Sequence, residues 1–362
     1  MIKQEEIQIY NEDCYGLKHL KDNTIDALIT DPPYGIGFQD HDWDKGEVPK
    51  PEIWEDCFRV MKPGAFGLVF SFPRLMHRIM THIEDRGFLL KDVLFWSYTN
   101  GMPKTRNIAL EIDKEKGVES EIIGEYTYEQ GYKKGGADSY KLNERKYKLK
   151  PASDEGKFFE GAGLGLKPAY EPIILIQKPI ESDLTIAKNL IKHKVGVLNL
   201  EEARIPYPKF EKGKKIGHNP HPVGRVPANI IRHKPLNDGY DKYFQIAKGN
   251  LERFEEESSY QEYEIDENEN FLPFPKVRQS KEEFNLHPTV KPIALMSHLV
   301  KLLSFKGQTI LDPFVGSGST ALACIIEDRN FMGYEIDEEY YQITMKRVKI
   351  EKELKQQTSI KF

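Results

Sequence analysis

Thr309-Ile310-Leu311-Asp312-Pro313-Phe314-Val315-Gly316-Ser317-Gly318-Ser319-Thr320 is the stretch whose reading decides the fold. Thr309 to Asp312 is a short apolar run of the kind that forms a buried strand. Gly316 to Thr320 makes a tight turn, Ala321 to Glu327 is the helix it opens, and Phe331 to Ile336 is the next strand, carrying Glu335 near its end. Strand, Gly-rich turn, helix, strand and acid together describe a nucleoside-binding βαβ unit. Glycines let the backbone approach a ligand, and a helix N-terminus offers free N–H groups to an anion. Glu335 lies 19 residues beyond Gly316, about the spacing at which an acid meets a ribose hydroxyl. The turn lacks the third glycine of a dinucleotide fingerprint, and no Lys follows to make a phosphate-cradling loop. Asp312 would repel a diphosphate; it suits a ligand that presents an ammonium and a sulfonium, as S-adenosylmethionine does. A purely structural glycine turn is the competing reading, and strand, spacing and terminal acid all weigh against it.

The N-terminal part of the chain repeats the alternation. Ile7 to Tyr10 and Ile25 to Thr30 read as strands, with a short helix expected over Tyr15 to Lys21. The second strand stops at Asp31-Pro32-Pro33-Tyr34, a carboxylate and an aromatic ring on either side of two residues with fixed φ and no N–H. A polar loop carrying Trp43 follows, from Gly35 to Pro51. Glu52 to Met61 is helical, with Ile53, Trp54, Phe58 and Met61 on one face. Lys62-Pro63-Gly64 stops it, Ala65 to Phe72 is a buried strand, Leu75 to Asp85 a helix, and Phe88 to Tyr98 another strand. This is the pattern of an α/β, mainly parallel, doubly wound sheet. Asn100 to Lys167 loses the periodicity and reads as an insertion; Glu171 to Gln177 is a strand again and Thr185 to Lys192 a helix. Val195 to about Asn285 shows no helix–strand alternation. Order returns with a helix opened by Pro292, its apolar face made by Ile293, Met296, Leu299, Val300 and Leu303. A terminal helix from Glu338 to about Lys355 calls for a further strand, which Ile7 to Tyr10 can supply.

With 362 residues, one catalytic core plus an inserted or appended module is expected. No apolar run reaches membrane-spanning length, and Met1 to Glu6 is no signal peptide. Cys14, Cys57 and Cys324 are widely separated, which fits a reduced, cytoplasmic protein. His218 and His221 form the only close His pair and no other ligands complete a metal site. The net charge of −5 does not exclude nucleic acid, because charge is unevenly spread. Arg204 to Lys234 holds eight Lys/Arg against Glu211 alone, whereas acids dominate from Glu252 to Glu269.

Asp31-Pro32-Pro33-Tyr34, Asp312-Pro313-Phe314-Val315-Gly316-Ser317-Gly318 and His287-Pro288-Thr289-Val290-Lys291-Pro292 together resemble the motifs of the DNA amino-methyltransferase family. Their order, catalytic motif first and cofactor motif last, resembles the beta class, a circular permutation of the Rossmann-like methyltransferase fold. The resemblance covers roughly residues 5–100, 168–195 and 286–350. It implies a target-base half over 1–99, an insertion over 100–167 that faces DNA, a core strand and helix over 168–195, a target-recognition region over 196–285, and a cofactor half over 286–362. Double-stranded DNA is then the substrate and S-adenosylmethionine the cofactor. A second copy of the chain and a cognate restriction endonuclease are candidate partners; a membrane is not. By the same resemblance Asp31, Pro32, Pro33 and Tyr34 are catalytic, and Asp13, Cys14, Asp31, His287, Thr289, Lys291, Asp312, Phe314, Gly316, Ser317, Gly318 and Glu335 bind the cofactor. Asp13 and Cys14 lie near its adenine and Glu335 at its ribose.

An aromatic amine is a poor nucleophile because its lone pair is delocalised into the ring. The Asp31 carboxylate and the Pro32 carbonyl can accept its hydrogens and localise that pair. Attack on a sulfonium methyl is a direct displacement, so positioning supplies much of the rate. The base must leave the duplex, and Tyr34 is placed to stack on it; Phe95 and Trp96 are second walls or, by the favoured reading, core aromatics. Lys209, Lys212, Lys214, Lys215, Arg225 and Arg232, with Arg204 and Lys234, are candidates for phosphate contact. The expected product is N6-methyladenine in DNA. Cytosine N4 methylation is the alternative, although the cytosine enzymes of this family more often have Ser at the position of Asp31; a catalytically dead DNA-binding relative is a third reading.

Overall fold

The computed structural model describes residues 6–37, 48–98, 106–127, 145–206, 221–232, 245–246 and 290–359. The chain divides into two compact units, residues 1–97 with 171–362, and residues 98–170.

The larger unit is built on a nine-stranded sheet. Its elements begin with β1 (Ile7–Tyr10), β2 (Ile25–Thr30), α1 (Pro51–Val60), β3 (Met61–Phe70), α2 (Met76–Asp85) and β4 (Leu89–Ser97). The smaller unit holds α3 (Ile108–Glu115), β5 (Glu121–Thr127), β6 (Arg145–Lys150) and α4 (Asp154–Phe158), with β5 and β6 paired antiparallel. Its buried Asp113 accepts hydrogen bonds from Ser153, Ala152 and Ser120, which hold the carboxyl well below its usual range. The chain then returns as β7 (Tyr170–Gln177), α5 (Ile186–His193), β8 (Ile205–Pro206), β9 (Gly224–Arg225), β10 (Ile230–Arg232) and β11 (Gln245–Ile246). It ends with α6 (Ile293–Leu303), β12 (Thr309–Asp312), α7 (Ser319–Ile326), β13 (Asn330–Tyr334) and α8 (Glu338–Ser359).

The strand order is β1-β13-β12-β2-β3-β7-β4-β10-β11. β1 lies parallel to β13 with Ile7 opposite Phe331 and Tyr10 opposite Tyr334, so the first strand of the chain completes the motif begun by the last. That is the Rossmann-like sheet in circularly permuted order. All six residues of β2 are buried, as expected of a strand covered on both faces. α1 explains one cover: Pro51 opens it, and Ile53, Trp54, Cys57 and Val60 fall on the face that packs into the core. α6 is buried at nine of its positions, and α7 at all but its last residue, so these two helices are core elements rather than amphipathic covers.

Three local expectations change. Tyr15 to Lys21 forms turns instead of a helix, because Gly16 and Leu17 take positive φ, and Arg59 bonds the carbonyls of Gly16 and Leu20 across the gap. β3 starts at Met61 rather than Ala65: Gly64, at φ +88, sits where a Cβ would strike the Asn189 amide at 2.5 Å. The stretch after Val195 contributes β10 to the main sheet, parallel to β4 with Ile231 opposite Trp96. Trp96 is buried there, as a core aromatic. Trp43 lies outside the described residues.

Candidate active site

β2 and β12 are parallel neighbours, with Ala27 opposite Ile310 and Leu28 opposite Leu311. Their C-terminal ends, Asp31-Pro32-Pro33-Tyr34 and Asp312 to Gly318, therefore emerge at one edge of the sheet, where open α/β folds bind ligands. A buried hydrogen bond ties the two turns together: Thr30 Oγ1 donates to Asp312 Oδ1 at 2.7 Å. Asp312 Oδ1 also accepts from Phe314 N at 3.1 Å, and Oδ2 from Thr320 Oγ1 at 2.7 Å. The sequence suggested an acid facing a bound cation. The structure instead encloses Asp312 completely and engages both of its oxygens, and burial pushes its carboxyl up to about 7. Asp312 is a lock between β2, the glycine turn and α7.

The glycine turn is held from a second side by α8. Thr344 Oγ1 donates to Gly316 O at 2.8 Å, and Arg347 donates to Ser317 O at 2.5 Å and Ser317 Oγ at 3.2 Å. Gly318 has φ +86, and a Cβ there would meet Thr344 Cγ2 at 2.7 Å, so only glycine fits. Glu335, at the end of β13, accepts from Gly316 N at 2.7 Å through Oε2 and from Asp337 N at 2.9 Å through Oε1. Burial raises its carboxyl, an effect these amide donors oppose.

At the other turn, four polar side chains close a ring. Asp31 Oδ1 accepts from the Tyr34 hydroxyl at 2.6 Å, and Asp31 Oδ2 from Lys291 Nζ at 2.5 Å. Glu171 Oε2 lies 3.3 Å from Lys291 Nζ and accepts from the Tyr34 hydroxyl at 3.4 Å. Lys291 is buried and stands 5.0 Å from the centre of the Phe70 ring. Burial alone would lower its ammonium, but Asp31 and Glu171 outweigh it and hold the group charged. Burial raises the Glu171 carboxyl, opposed by Lys291. Burial and the adjacent carboxylates also raise the Tyr34 phenol, so it stays protonated. Its ring stacks on Phe72 at 6.4 Å between centroids.

A family model for DNA methylases of the N6/N4 type matches residues 25–346. The chain belongs to the DNA methylase family. The type II methyltransferase M.HindIII of Haemophilus influenzae is 25% identical over 95% of this methylase and 96% of its own length. The DNA adenine methyltransferase YhdJ of Escherichia coli is 38% identical over 22% of the chain and 28% of its own length. Among solved structures, the M1.HpyAVI–SAM complex aligns at TM-score 0.42 and 20% identity, covering 94% of the chain and 99% of that structure.

S-adenosylmethionine is the cofactor of this family, and the donor set of the methylase fits it. Glu335, an acid at the end of the strand that follows the glycine turn, is held by the amides of Gly316 and Asp337 and suits a ribose hydroxyl rather than a phosphate. The remaining sequence candidates divide. Cys14 is buried in the core cluster that also holds Leu311 and Tyr334, and burial pushes its thiol up to about 12, which leaves no role as a nucleophile. Asp13 is exposed, accepts from Tyr15 N at 2.9 Å, and lines an open cavity of about 420 Å³ with Tyr15, Gly16, Lys50, Glu52 and Asp56. Lys291, taken from the sequence as a cofactor ligand, sits on Asp31. Arg225 lies on β9 opposite Ile205, Arg232 at the end of β10 opposite Ser97, and Arg204 pairs with Glu201 at 2.8 Å. His287, Thr289, Lys209, Lys212, Lys214 and Lys215 lie outside the described residues. Sequence reasoning missed Glu171, Phe72, Thr320, Thr344 and Arg347. Glu171 carried a signal: an acid followed by proline at the border of an apolar run, as at Asp31-Pro32.

Proposed function

We propose that this methylase transfers a methyl group to the N6 amine of an adenine flipped out of double-stranded DNA. The observation that carries the reading is the Asp31 carboxylate, held by Lys291 and Tyr34 at the sheet edge it shares with the glycine turn. YhdJ, named as an adenine enzyme, adds support over its matched segment.

Bound S-adenosylmethionine would supply an electrophilic methyl on a sulfonium whose sulfur keeps the C–S electron pair. Gly316, Ser317, Gly318 and Phe314 would cradle it, Asp13, Cys14 and Glu335 would flank its nucleoside, and Asp312 acts through the turn it locks. His287, Thr289 and Lys291 complete this set, Lys291 through Asp31. Asp31 and the Pro32 carbonyl accept the two amine hydrogens, so the nitrogen lone pair turns from the ring toward the methyl. Asp31 takes the proton that the positive nitrogen sheds and passes it to solvent. Pro33 keeps a competing N–H out of the turn, and Tyr34 with Phe72 forms the aromatic wall for the base. The basic stretch supports reading 196–285 as the target-recognition region, with Lys209, Lys212, Lys214, Lys215, Arg225 and Arg232 on phosphates, and 100–167 as a second DNA-facing segment. A cognate endonuclease, a second copy of the chain and a cytoplasmic site of action complete the reading.

The test is product identity. Protein is incubated with labelled S-adenosylmethionine and DNA, the DNA is digested to nucleosides, and the labelled nucleoside is identified by mass spectrometry. N6-methyladenine is expected. N4-methylcytosine refutes the adenine assignment, and cofactor binding without transfer refutes the enzyme assignment.

A further inference from the structure

The ring of Asp31, Tyr34, Lys291 and Glu171 contains one more carboxylate than the amine-holding step requires. Lys291 alone would neutralise Asp31: the pair at 2.5 Å is a closed ion pair, and a target amine would meet a dipole. Glu171 changes that balance. Its Oε2 reaches the same ammonium at 3.3 Å and the Tyr34 hydroxyl at 3.4 Å, so one cation serves two acids. We propose that Glu171 is a positioning residue for methyl transfer: by sharing Lys291 with Asp31 it leaves the ring with a net negative charge, set against the amine nitrogen as that nitrogen becomes positive. This rests on the reading of Asp31 as the acceptor for the target amine.

The architecture makes the placement a property of strand direction. β7 runs antiparallel to β3, with Phe70 opposite Ile173, and Ser71 N bonds to Pro172 O at 3.0 Å. The N-terminal start of β7 therefore lies at the edge where β2, β3 and β12 end. A parallel strand in that place would carry its first residues to the far edge. The groups facing Glu171 are Lys291 from the segment before α6 and Asp31 and Tyr34 from the turn after β2, with Phe70 beneath the ammonium. Charge fixed in a partly buried ring acts on a developing cation far more strongly than the same charge in water, and removing one such preorganised group typically costs about 10²–10³ in rate.

The test uses the full chain, S-adenosylmethionine and substrate DNA in single-turnover transfer, with cofactor and DNA affinity measured separately. Glu171→Gln keeps the shape and removes the charge. Its transfer rate is expected to fall about 10- to 100-fold, with both affinities within about twofold of wild type. Glu171→Asp keeps the charge and is expected to retain most of the rate, and it also serves if the glutamine variant does not fold. Glu171→Gln combined with Lys291→Met restores one net negative charge at Asp31 and is expected to be faster than Glu171→Gln alone. A glutamine variant at wild-type rate, an aspartate variant as slow as the glutamine variant, or a double variant no faster than it would each overturn the proposal. A wild type that transfers no methyl group would instead remove the underlying reading of Asp31.

Discussion

Thr320→Val tests the lock beneath the glycine turn. Thr320 is buried and its hydroxyl reaches Asp312 Oδ2 at 2.7 Å. Valine keeps the volume and removes the donor. Above pH 8 Asp312, with its carboxyl near 7, is ionised, and a hydrogen bond to a buried charge is worth about 2 kcal/mol. At pH 5 Asp312 is protonated, and the lost bond is between neutral groups, worth about 1 kcal/mol. The direction follows from linkage. Asp312 has a folded value above its unfolded one, so its contribution to stability is present in full at acid pH and is lost as pH rises through about 7. The Thr320 hydroxyl opposes that rise. Removing it raises the folded value further and steepens the loss. The variant should therefore be less stable than wild type by about 1 kcal/mol at pH 5 and about 2 kcal/mol at pH 8, a gap equivalent to under one unit of pKa. Urea unfolding followed by tryptophan fluorescence at the two pH values measures it, with Trp54 buried in the core of the same unit. Equal losses at both pH values would refute the assignment of a titrating Asp312 to the lock. A loss below about 0.5 kcal/mol at pH 8 would refute the lock itself.

Asp31→Ala should lower methyl transfer by at least about 10²-fold while cofactor affinity, measured by titration calorimetry, stays near wild type; a comparable loss of cofactor affinity would erase the division between the two turns. Arg347→Met releases the Ser317 carbonyl and hydroxyl, and cofactor binding should weaken about tenfold with the DNA affinity unchanged, which a filter-binding assay reads directly. Replacing Lys212, Lys214 and Lys215 by Ala should weaken DNA binding and flatten its dependence on salt by up to about 0.9 per lost phosphate contact in a log–log plot. An unaltered slope would move the phosphate-binding face elsewhere.

The βαβ unit around Gly316 was legible because its signals are local. A four-residue apolar strand, two glycines of which Gly318 must be glycine, and an acid at the next strand end all follow from short-range rules, and β12 begins and ends where the pattern says. The permuted join of β1 to β13 was legible for a similar reason: α8 leaves the sheet with one strand missing, and Ile7 to Tyr10 is the segment free to fill it. What escaped was long-range. Thr344 and Arg347 belong to what reads as a plain terminal helix, and only its packing turns them toward the glycine turn. The strand over Ile230 to Arg232 is three residues long and takes its order from β4, so its local sequence carries almost no strand signal. Asp312 was legible as an acid at a strand end, but its burial depends on two threonines, one of them on a strand 282 residues away.

Asp31, Glu171, Lys291 and Asp312 each stand immediately before a proline. A residue before proline is confined to extended backbone, and the proline offers no N–H. A carboxylate at a strand end is ordinarily capped by amides one to three residues on. Here the nearest amide is deleted for all three carboxylates, and only Asp312 recovers one, from Phe314 N. Asp31 and Glu171 must find their donors in side chains, and the donors within reach are Lys291 and Tyr34. The four prolines thus do more than stiffen turns. They withhold backbone donors from the sheet edge, so that charge accumulates there in side chains that a substrate amine can displace or engage. Replacing one of these prolines with alanine would supply a competing amide without touching any charged group.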